Sequence, residues 1–543
     1  MDADIVIKNG KIIDGTGNPW FRGDLGIKNG KISKIGHLGK GHDAKVIDAQ
    51  NLIVCPGFID IHSHSDIAIF FDNALQSTIR QGITTSLLGN CGDNLAPVPA
   101  DKMAEYLKHF AIFAPPGSKI ETLPWNTFAQ YLEFMEEKGC VANSAHLVGF
   151  GTVRFVGGPG FEDRPPTAEE LVGMKSFVAE AMEAGAFGMS TGLIYTPQVY
   201  ADTMEIIELA RVVAEYGGIY TSHIRGEGAT VVKAVKEVIE IVEKSGCIGG
   251  HIAHHKVAGK ANWGASKKTL QLMEEANASG LNVTCSQYPY NRGMTTLMTL
   301  LPPWVHLGGL QKLLERLKNP QDRARIKKDV TEGIEGWENL ISSAGFESIY
   351  LSCLKTNEWQ DMEGKSLTEV TRLRGKADEW ETLFDVLIDE KGEVAITIEL
   401  MSEEDIRRIM TARYTMVATD AWGVAPTGVF GYGKPHPRYY GTFPRILGKY
   451  VREEKLLTLE RAIRKMTSFP AQRMGLLDRG LLREGMWADI VVFDPEKVVD
   501  RATYQQPHQF PEGILHVLVN GEIVVENEKQ TDKLPGKILR RPS

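Results

Sequence analysis

A chain of 543 residues, 43% of them hydrophobic, can bury a large core and exceeds the usual length of one compact domain. Its formal net charge of −8 leaves no basic footprint beyond a short cluster at 537–541, so nucleic acid and acidic membrane surfaces are not expected partners. No apolar run reaches spanning length, two acids stand among the first four residues where a secretory leader would be basic, and six scattered cysteines cannot make a disulfide framework; a soluble, cytoplasmic protein with reduced thiols is expected.

Three β-like runs echo one another, at 5–13 around Asn9-Gly10, at 25–32 around Asn29-Gly30 and at 517–524 around Asn520-Gly521. Asn-Gly is the favoured two-residue hairpin turn, so each run is expected to fold back on itself. Two runs stand at the start and one near the end. This placement predicts a small β-sandwich built from residues 1–55 and 478–543, with a catalytic domain, 56–477, inserted in it.

The middle of the chain alternates. Strand-like runs end at His62 and His64, at Cys91, at Val148, at Thr191, at His223, at His255, at Tyr288 and at Asp420, and helical stretches such as 167–183, 202–216 and 229–244 separate many of them. Eight strands with helical crossovers predict an α/β fold of the (β/α)8 TIM-like barrel type. The gap between the seventh and eighth runs is longer than one crossover helix needs, which predicts an inserted subdomain or lid over about 298–407.

Active sites of such barrels lie at the C-terminal ends of the strands, so metal-binding and titratable side chains there carry the functional reading. Alternate residues of a strand share a face, which lets His62 and His64 grip one cation. Cys91 follows the second strand, His223 the fifth, His254 or His255 the sixth and Asp420 the eighth. Any one of them alone is more often structural. Together they describe a metal site with an acid beside it, and Lys256, two residues beyond His254, places a cation near the same mouth for a substrate carboxylate.

Pro56-Gly57-Phe58-Ile59-Asp60-Ile61-His62-Ser63-His64, Gly89-Asn90-Cys91-Gly92, Ser190-Thr191-Gly192-Leu193-Ile194-Tyr195 and Ser222-His223-Ile224-Arg225 resemble motifs of the metal-dependent amidohydrolase superfamily. With His254-His255-Lys256, Tyr288-Pro289-Tyr290, Ala418-Thr419-Asp420 and the run from His436-Pro437-Arg438 to Arg445, the resemblance covers nearly the whole chain and narrows to the D-aminoacylases, the N-acyl-D-amino-acid deacylases. Cys91 does the narrowing, because many binuclear relatives bridge their metals with a carboxylated lysine and D-aminoacylases use a cysteine. The resemblance implies one zinc held tightly by Cys91, His223 and His254, and a weaker second site from His62, His64, Cys91 and Asp420. His254 is the family's ligand, which sends His255 into packing or a hydrogen bond. Asp420 becomes the acid and base, and Tyr195, Lys256 and Tyr288, with Arg438 as a further candidate, become the carboxylate-binding set.

The implied activity is zinc-dependent hydrolysis of N-acyl-D-amino acids to a carboxylate and a D-amino acid, with the stereochemistry resting on the resemblance alone. Asn291-Arg292 stands where many relatives have a small residue, and the insertion is long, so the acyl and side-chain preferences stay open. A cyclic-amide hydrolase of the dihydropyrimidinase or hydantoinase kind is disfavoured by Cys91 and by the absence of an evident bridging lysine. A barrel that only binds a ligand is disfavoured by the intact Asp420.

Overall fold

In the computed structural model, which describes residues 3–39, 44–110, 114–116, 118 and 120–541, both ends of the chain feed one nine-stranded sheet. Strand Ile5–Ile12 runs antiparallel to Phe21–Lys28 and parallel to Lys45–Asp48 and Ile53–Pro56. Ile53–Pro56 in turn pairs with Ile490–Phe493, and Ile514–Val519 and Glu522–Glu526 extend the sheet. Ile5, Ile7, Leu25, Ile27, Ile490 and Leu518 belong to a hydrophobic core of its own.

Two of the three Asn-Gly pairs turn as expected. Asn29 and Gly30 (φ 50° and 76°) fold Phe21–Lys28 onto Lys31–Gly36, and Asn520 and Gly521 (φ 49° and 82°) fold Ile514–Val519 onto Glu522–Glu526. Two successive positive φ values are what a type I′ hairpin turn demands. Asn9-Gly10 does not turn. Ile5–Ile12 is one continuous strand that takes up an extra residue as a bulge between Ile7 and Gly10, with Asn9 at φ 62° and its N–H donated to Asp24 at 2.9 Å. The neighbours explain the difference: Lys8 pairs with Asp48 and Lys11 with Ile53, so strands on the far side hold the run straight across the Asn-Gly pair.

The middle of the chain builds two parallel sheets. One orders Ile538–Leu539, Asn143–His146, Ile83–Leu88 and Phe58–Asp60; the other orders Val148–Gly149, Gly188–Gly192, Ile219–His223, Gly250–Ile252, Val283–Gln287 and Thr415–Val417. The strands are buried along their length, as parallel strands covered by helices on their outer face must be. Crossover helices start at side-chain caps: Thr167 and Glu170 form a capping box on Ala168–Glu183, and Asp202 caps Thr203–Glu215. Backbone bonds join the ends of the two sheets. Asp420 N–H donates to His62 O at 2.9 Å, Thr419 N–H to the Asp60 carboxylate at 3.0 Å, and Phe187 N–H to His146 O at 2.8 Å.

The basic cluster near the C-terminus is used inside the molecule. Ile538–Leu539 pairs in parallel with Asn143–His146, Lys537 Nζ lies 3.7 Å from the Trp487 ring centroid, and Arg540 reaches Glu136 at 2.8 Å. Between Val283–Gln287 and Thr415–Val417 stands an antiparallel sheet of Arg292–Thr296, Ala395–Glu399 and Ile349–Cys353, in that order, surrounded by helices. Among the described residues no helix is long and apolar enough to cross a membrane.

A buried polar network ties the terminal sheet to the parallel strands. Asp489 accepts from Arg479, from Asn143 Nδ2 at 3.2 Å and from Asn520 N–H at 2.7 Å, while Asn520 Nδ2 donates to Asn143 Oδ1 at 2.8 Å. Asp489→Ala leaves the Arg479 guanidinium, 3% exposed, without its carboxylate. It is expected to destabilise the protein by about 3–5 kcal/mol, read from the denaturant midpoint. Arg540→Ala, which removes a solvent-exposed pair, is expected to change stability by less than about 1 kcal/mol in the same measurement.

Candidate functional site

The side chains singled out in the sequence meet at the C-terminal ends of the parallel strands. Four imidazole nitrogens surround the Cys91 sulfur: His62 Nε2 at 3.6 Å, His64 Nε2 at 3.7 Å, His254 Nε2 at 3.8 Å and His223 Nδ1 at 3.9 Å. Asp420 Oδ1 lies 3.4 Å from His62 Nε2 and 3.2 Å from His64 Nε2. Three overlapping triads result, His62/His64/Cys91, Cys91/His223/His254 and His62/His254/Asp420, each with its donor atoms within 4.8 Å of one another. His255 turns away from them and places Nε2 2.8 Å from Thr269 Oγ1.

Sharp turns at the strand tips aim these groups inward. Cys91, His254 and Asp420 have φ of 56°, 34° and 50°. A left-handed backbone at a residue other than glycine costs about 1–3 kcal/mol and persists where its surroundings enforce it. The enforcing bonds are Gln198 Nε2 to Cys91 O at 2.9 Å, His254 N–H to Ser286 Oγ at 3.1 Å, and Asp420 N–H to His62 O at 2.9 Å. Beside Cys91, a Cβ on Gly92 would stand 1.9 Å from Gln198 Oε1, so only glycine lets the loop close on that side chain.

Burial sets the electrostatics. It pushes the Cys91 thiol well above its ordinary range, helped by the Asp420 and Asp93 carboxylates, and it lowers His62 to about 3 and His223 well below the usual imidazole value. Burial alone would raise Asp420 too, but Arg438 and the histidines hold it well below the usual carboxylate range. Arg438 Nη1 lies 2.8 Å from Asp420 Oδ2, a charge contact without hydrogen-bond alignment. Burial thus favours a protonated Cys91 thiol and neutral His62 and His223 rings, with Asp420 ionised beside them. A tetrahedral zinc separates a sulfur from a nitrogen ligand by about 3.6 Å and a nitrogen from an oxygen ligand by about 3.3 Å, from its usual bond lengths. The nitrogen–oxygen separations of 3.2 and 3.4 Å bracket the second value, the sulfur–nitrogen separations run from 3.6 to 3.9 Å, and thiolate with imidazole is a donor set that suits zinc.

One central residue escaped the sequence reading. Glu227 Oε1 stands 3.1 Å from His254 Nδ1 and 2.5 Å from Lys256 Nζ, and its Oε2 faces His223 Nε2 at 3.7 Å. Burial would raise this carboxyl, and Lys256 with the two histidines holds it well below its usual range instead. A hint was available in the sequence: an acid four residues past His223, isolated between Gly226 and Gly228.

The four residues proposed for substrate face one cavity of about 270 Å³ together with His64, Cys91, His223, His254 and Asp420. Lys256 Nζ also lies 2.8 Å from His254 Nδ1, and the Tyr288 ring lies 4.7 Å from the Arg438 guanidinium carbon and 5.7 Å from Lys256 Nζ. The Tyr195 hydroxyl is 3.3 Å from Thr295 Oγ1 of the inserted sheet. Met294, Trp337 and Leu340 from the same insertion contribute apolar lining.

Comparison with known proteins places this geometry in a family. The amidohydrolase family model matches residues 45–525. The chain is 35% identical to the D-aminoacylase of Alcaligenes xylosoxydans xylosoxydans over 99% of its own length and 98% of the relative's. It is 35% identical to the N-acyl-D-glutamate deacylase of the same organism, over 99% and 96%. The crystal structure of the N-acyl-D-glutamate deacylase from Bordetella bronchiseptica, complexed with zinc and a phosphonate mimic of the tetrahedral intermediate, superposes with a TM-score of 0.82 at 34% identity, covering 99% of this chain and all of that one (100%). A thiol ringed by four imidazoles, with a carboxylate at its edge, thus sits in a chain that belongs to the amidohydrolase family and, within it, to the D-aminoacylases.

Proposed function

We propose that this protein is a zinc-dependent hydrolase that cleaves the amide bond of N-acyl-D-amino acids to a carboxylate and a free D-amino acid. The convergence of four imidazoles and Asp420 on the Cys91 sulfur carries the reading, in a chain whose full-length relatives are N-acyl-D-amino-acid deacylases. The D configuration rests on those relatives.

The scaffold reads as a closed (β/α)8 barrel. The parallel order of the strands, the bonds joining the two sheets and a cluster of inward residues including Ile59, Leu87, Ala145, Phe187, Ile219 and Met416 support closure. The terminal sheet, from residues 1–55 and 478–543, reads as a small sandwich beside the catalytic domain at 56–477. Residues from about 298 to 407, with the strand that begins at Arg292, read as a lid. Six free cysteines fit a reducing cytoplasm.

Cys91, His223 and His254 would hold the tightly bound zinc, and His62 and His64, with Cys91 and Asp420, a weaker second ion. Zinc supplies Lewis acidity there, acidifying the attacking water and polarising the scissile carbonyl. Asp420, kept ionised by its neighbours, accepts the water's proton. It then delivers that proton to the amine nitrogen as the C–N bond breaks, which an amide requires because an unprotonated amine leaves poorly. Tyr195, Lys256 and Tyr288 would receive the substrate carboxylate at the cavity wall. Arg438 serves Asp420 directly and the substrate as a further cation.

Incubating the zinc-loaded protein with paired N-acetyl-D and N-acetyl-L amino acids and with a hydantoin is expected to release amine from the D series; hydrolysis confined to the L series or the cyclic amide would overturn the assignment. Asp420→Asn is expected to lower kcat by about 10²–10⁴-fold while the tightly bound zinc stays in place. A pH dependence follows from the thiol. With Cys91 pushed well up, the metal-free thiol is protonated at neutral pH, whereas His223, held well below the usual imidazole value, is already neutral. Zinc binding then expels one proton, so titrations of metal-free protein should show affinity rising about tenfold per pH unit below the thiol's pKa.

A further inference from the structure

One carboxylate of the inserted segment holds the loop that carries Glu227. Glu338, 7% exposed, lies between helices Pro320–Glu332 and Leu340–Ala344, and its Oε2 accepts the backbone N–H of Glu227 at 2.9 Å and of Gly228 at 3.2 Å. The fit is close. A Cβ on Gly226 would lie 3.0 Å from Glu338 Oε2, and one on Gly228 would lie 2.6 Å from Oε1, so the two glycines let the backbone close around this carboxylate.

Glu227, anchored there, faces the ring nitrogens that do not face Cys91. His254 turns Nε2 to the sulfur and Nδ1 to Glu227; His223 turns Nδ1 to the sulfur and to Glu227 an Nε2 that has no hydrogen-bond partner. A carboxylate beside these nitrogens favours a proton on the side of the ring away from the sulfur, working against Lys256 Nζ, which lies 2.8 Å from the same His254 Nδ1. The segment that carries Glu338 also lines the cavity, through Trp337 and Leu340.

We propose that Glu338 is a positioning residue: by clamping the N–H groups of Glu227 and Gly228 it sets Glu227 against His223 and His254, and it couples whatever presses on Trp337 and Leu340 to the metal donors. The inference rests on the metal assignment made above. Glu338 touches neither substrate nor metal and acts through Glu227 alone.

The test uses the full-length protein, with zinc affinity measured by chelator competition and the donor set read from the visible bands of the Co²⁺-loaded form. Glu338→Ala is expected to weaken zinc by about 10–100-fold, to shift the Co²⁺ bands and to lower kcat more than it changes KM. Glu338→Gln, which keeps an acceptor oxygen, should recover the wild-type bands; Glu338→Asp, one methylene shorter, should not. Glu227→Gln should reproduce the Glu338→Ala defect, and the double variant should be no worse than Glu227→Gln alone. Wild-type zinc affinity and bands in Glu338→Ala, beside a disturbed Glu227→Gln, would overturn the proposal, as would additive losses in the double variant. Where Glu338→Ala does not fold, the Asp and Gln variants carry the same comparison. Zinc binding that survives Cys91→Ala unchanged would instead sink the underlying metal assignment, a separate failure.

Discussion

The site depends on holding one thiol and four imidazoles close together in the interior. Burial costs such groups their water, so the backbone has to bring them together. The work is done by the strand tips. Asp420 N–H binds His62 O across the seam between the two parallel sheets, and left-handed turns at Cys91, His254 and Asp420 swing three side chains inward. A backbone strained at three places is tolerated because parallel strands, buried along their length, fix the start of every turn. Electrostatics enters only at the edges, where Arg438 pins Asp420 and Lys256 pins Glu227.

Much of this was legible in the sequence, for reasons that differ by element. The parallel strands announced themselves as short apolar runs ending in chemistry-bearing residues, and the structure has strands at all eight of those places. The helical stretches expected at 167–183 and 202–216 are helices, and the structure starts them at side-chain caps on Thr167 and Asp202. The Asn9-Gly10 pair misled, because turn propensity is local and the outcome was decided by strands Lys45–Asp48 and Ile53–Pro56, some forty residues away along the chain. The cation partners were beyond reach for a similar reason: no spacing indicates that Lys256 will meet Glu227 or that Arg438 will meet Asp420. Asp60 was quoted only as part of a motif, yet its buried carboxyl, pushed up to about 7 by burial, bonds the backbone of both His62 and Thr419 and so stitches the first parallel strand to the eighth.

The insertion changes what the active cavity is made of. The tips of the parallel strands supply the thiol, the imidazoles and Asp420, while the inserted sheet and its helices supply apolar wall and, through Thr295, a contact to Tyr195. The two stretches meet at Thr295, beside Tyr195, and at Glu338, which holds the Glu227 backbone.

The strand Ile538–Leu539 has a consequence for how the chain is made. It lies beside Asn143–His146, and 394 residues separate Lys537 from the Asn143 that receives its N–H. At about 5–20 residues added per second, the edge of the third parallel strand waits roughly 20–80 s for its partner during synthesis. Over that interval the backbone edge of Asn143–His146 is open to wrong pairing. The long span between these partners makes the nascent chain, rather than the finished enzyme, the state most exposed to aggregation.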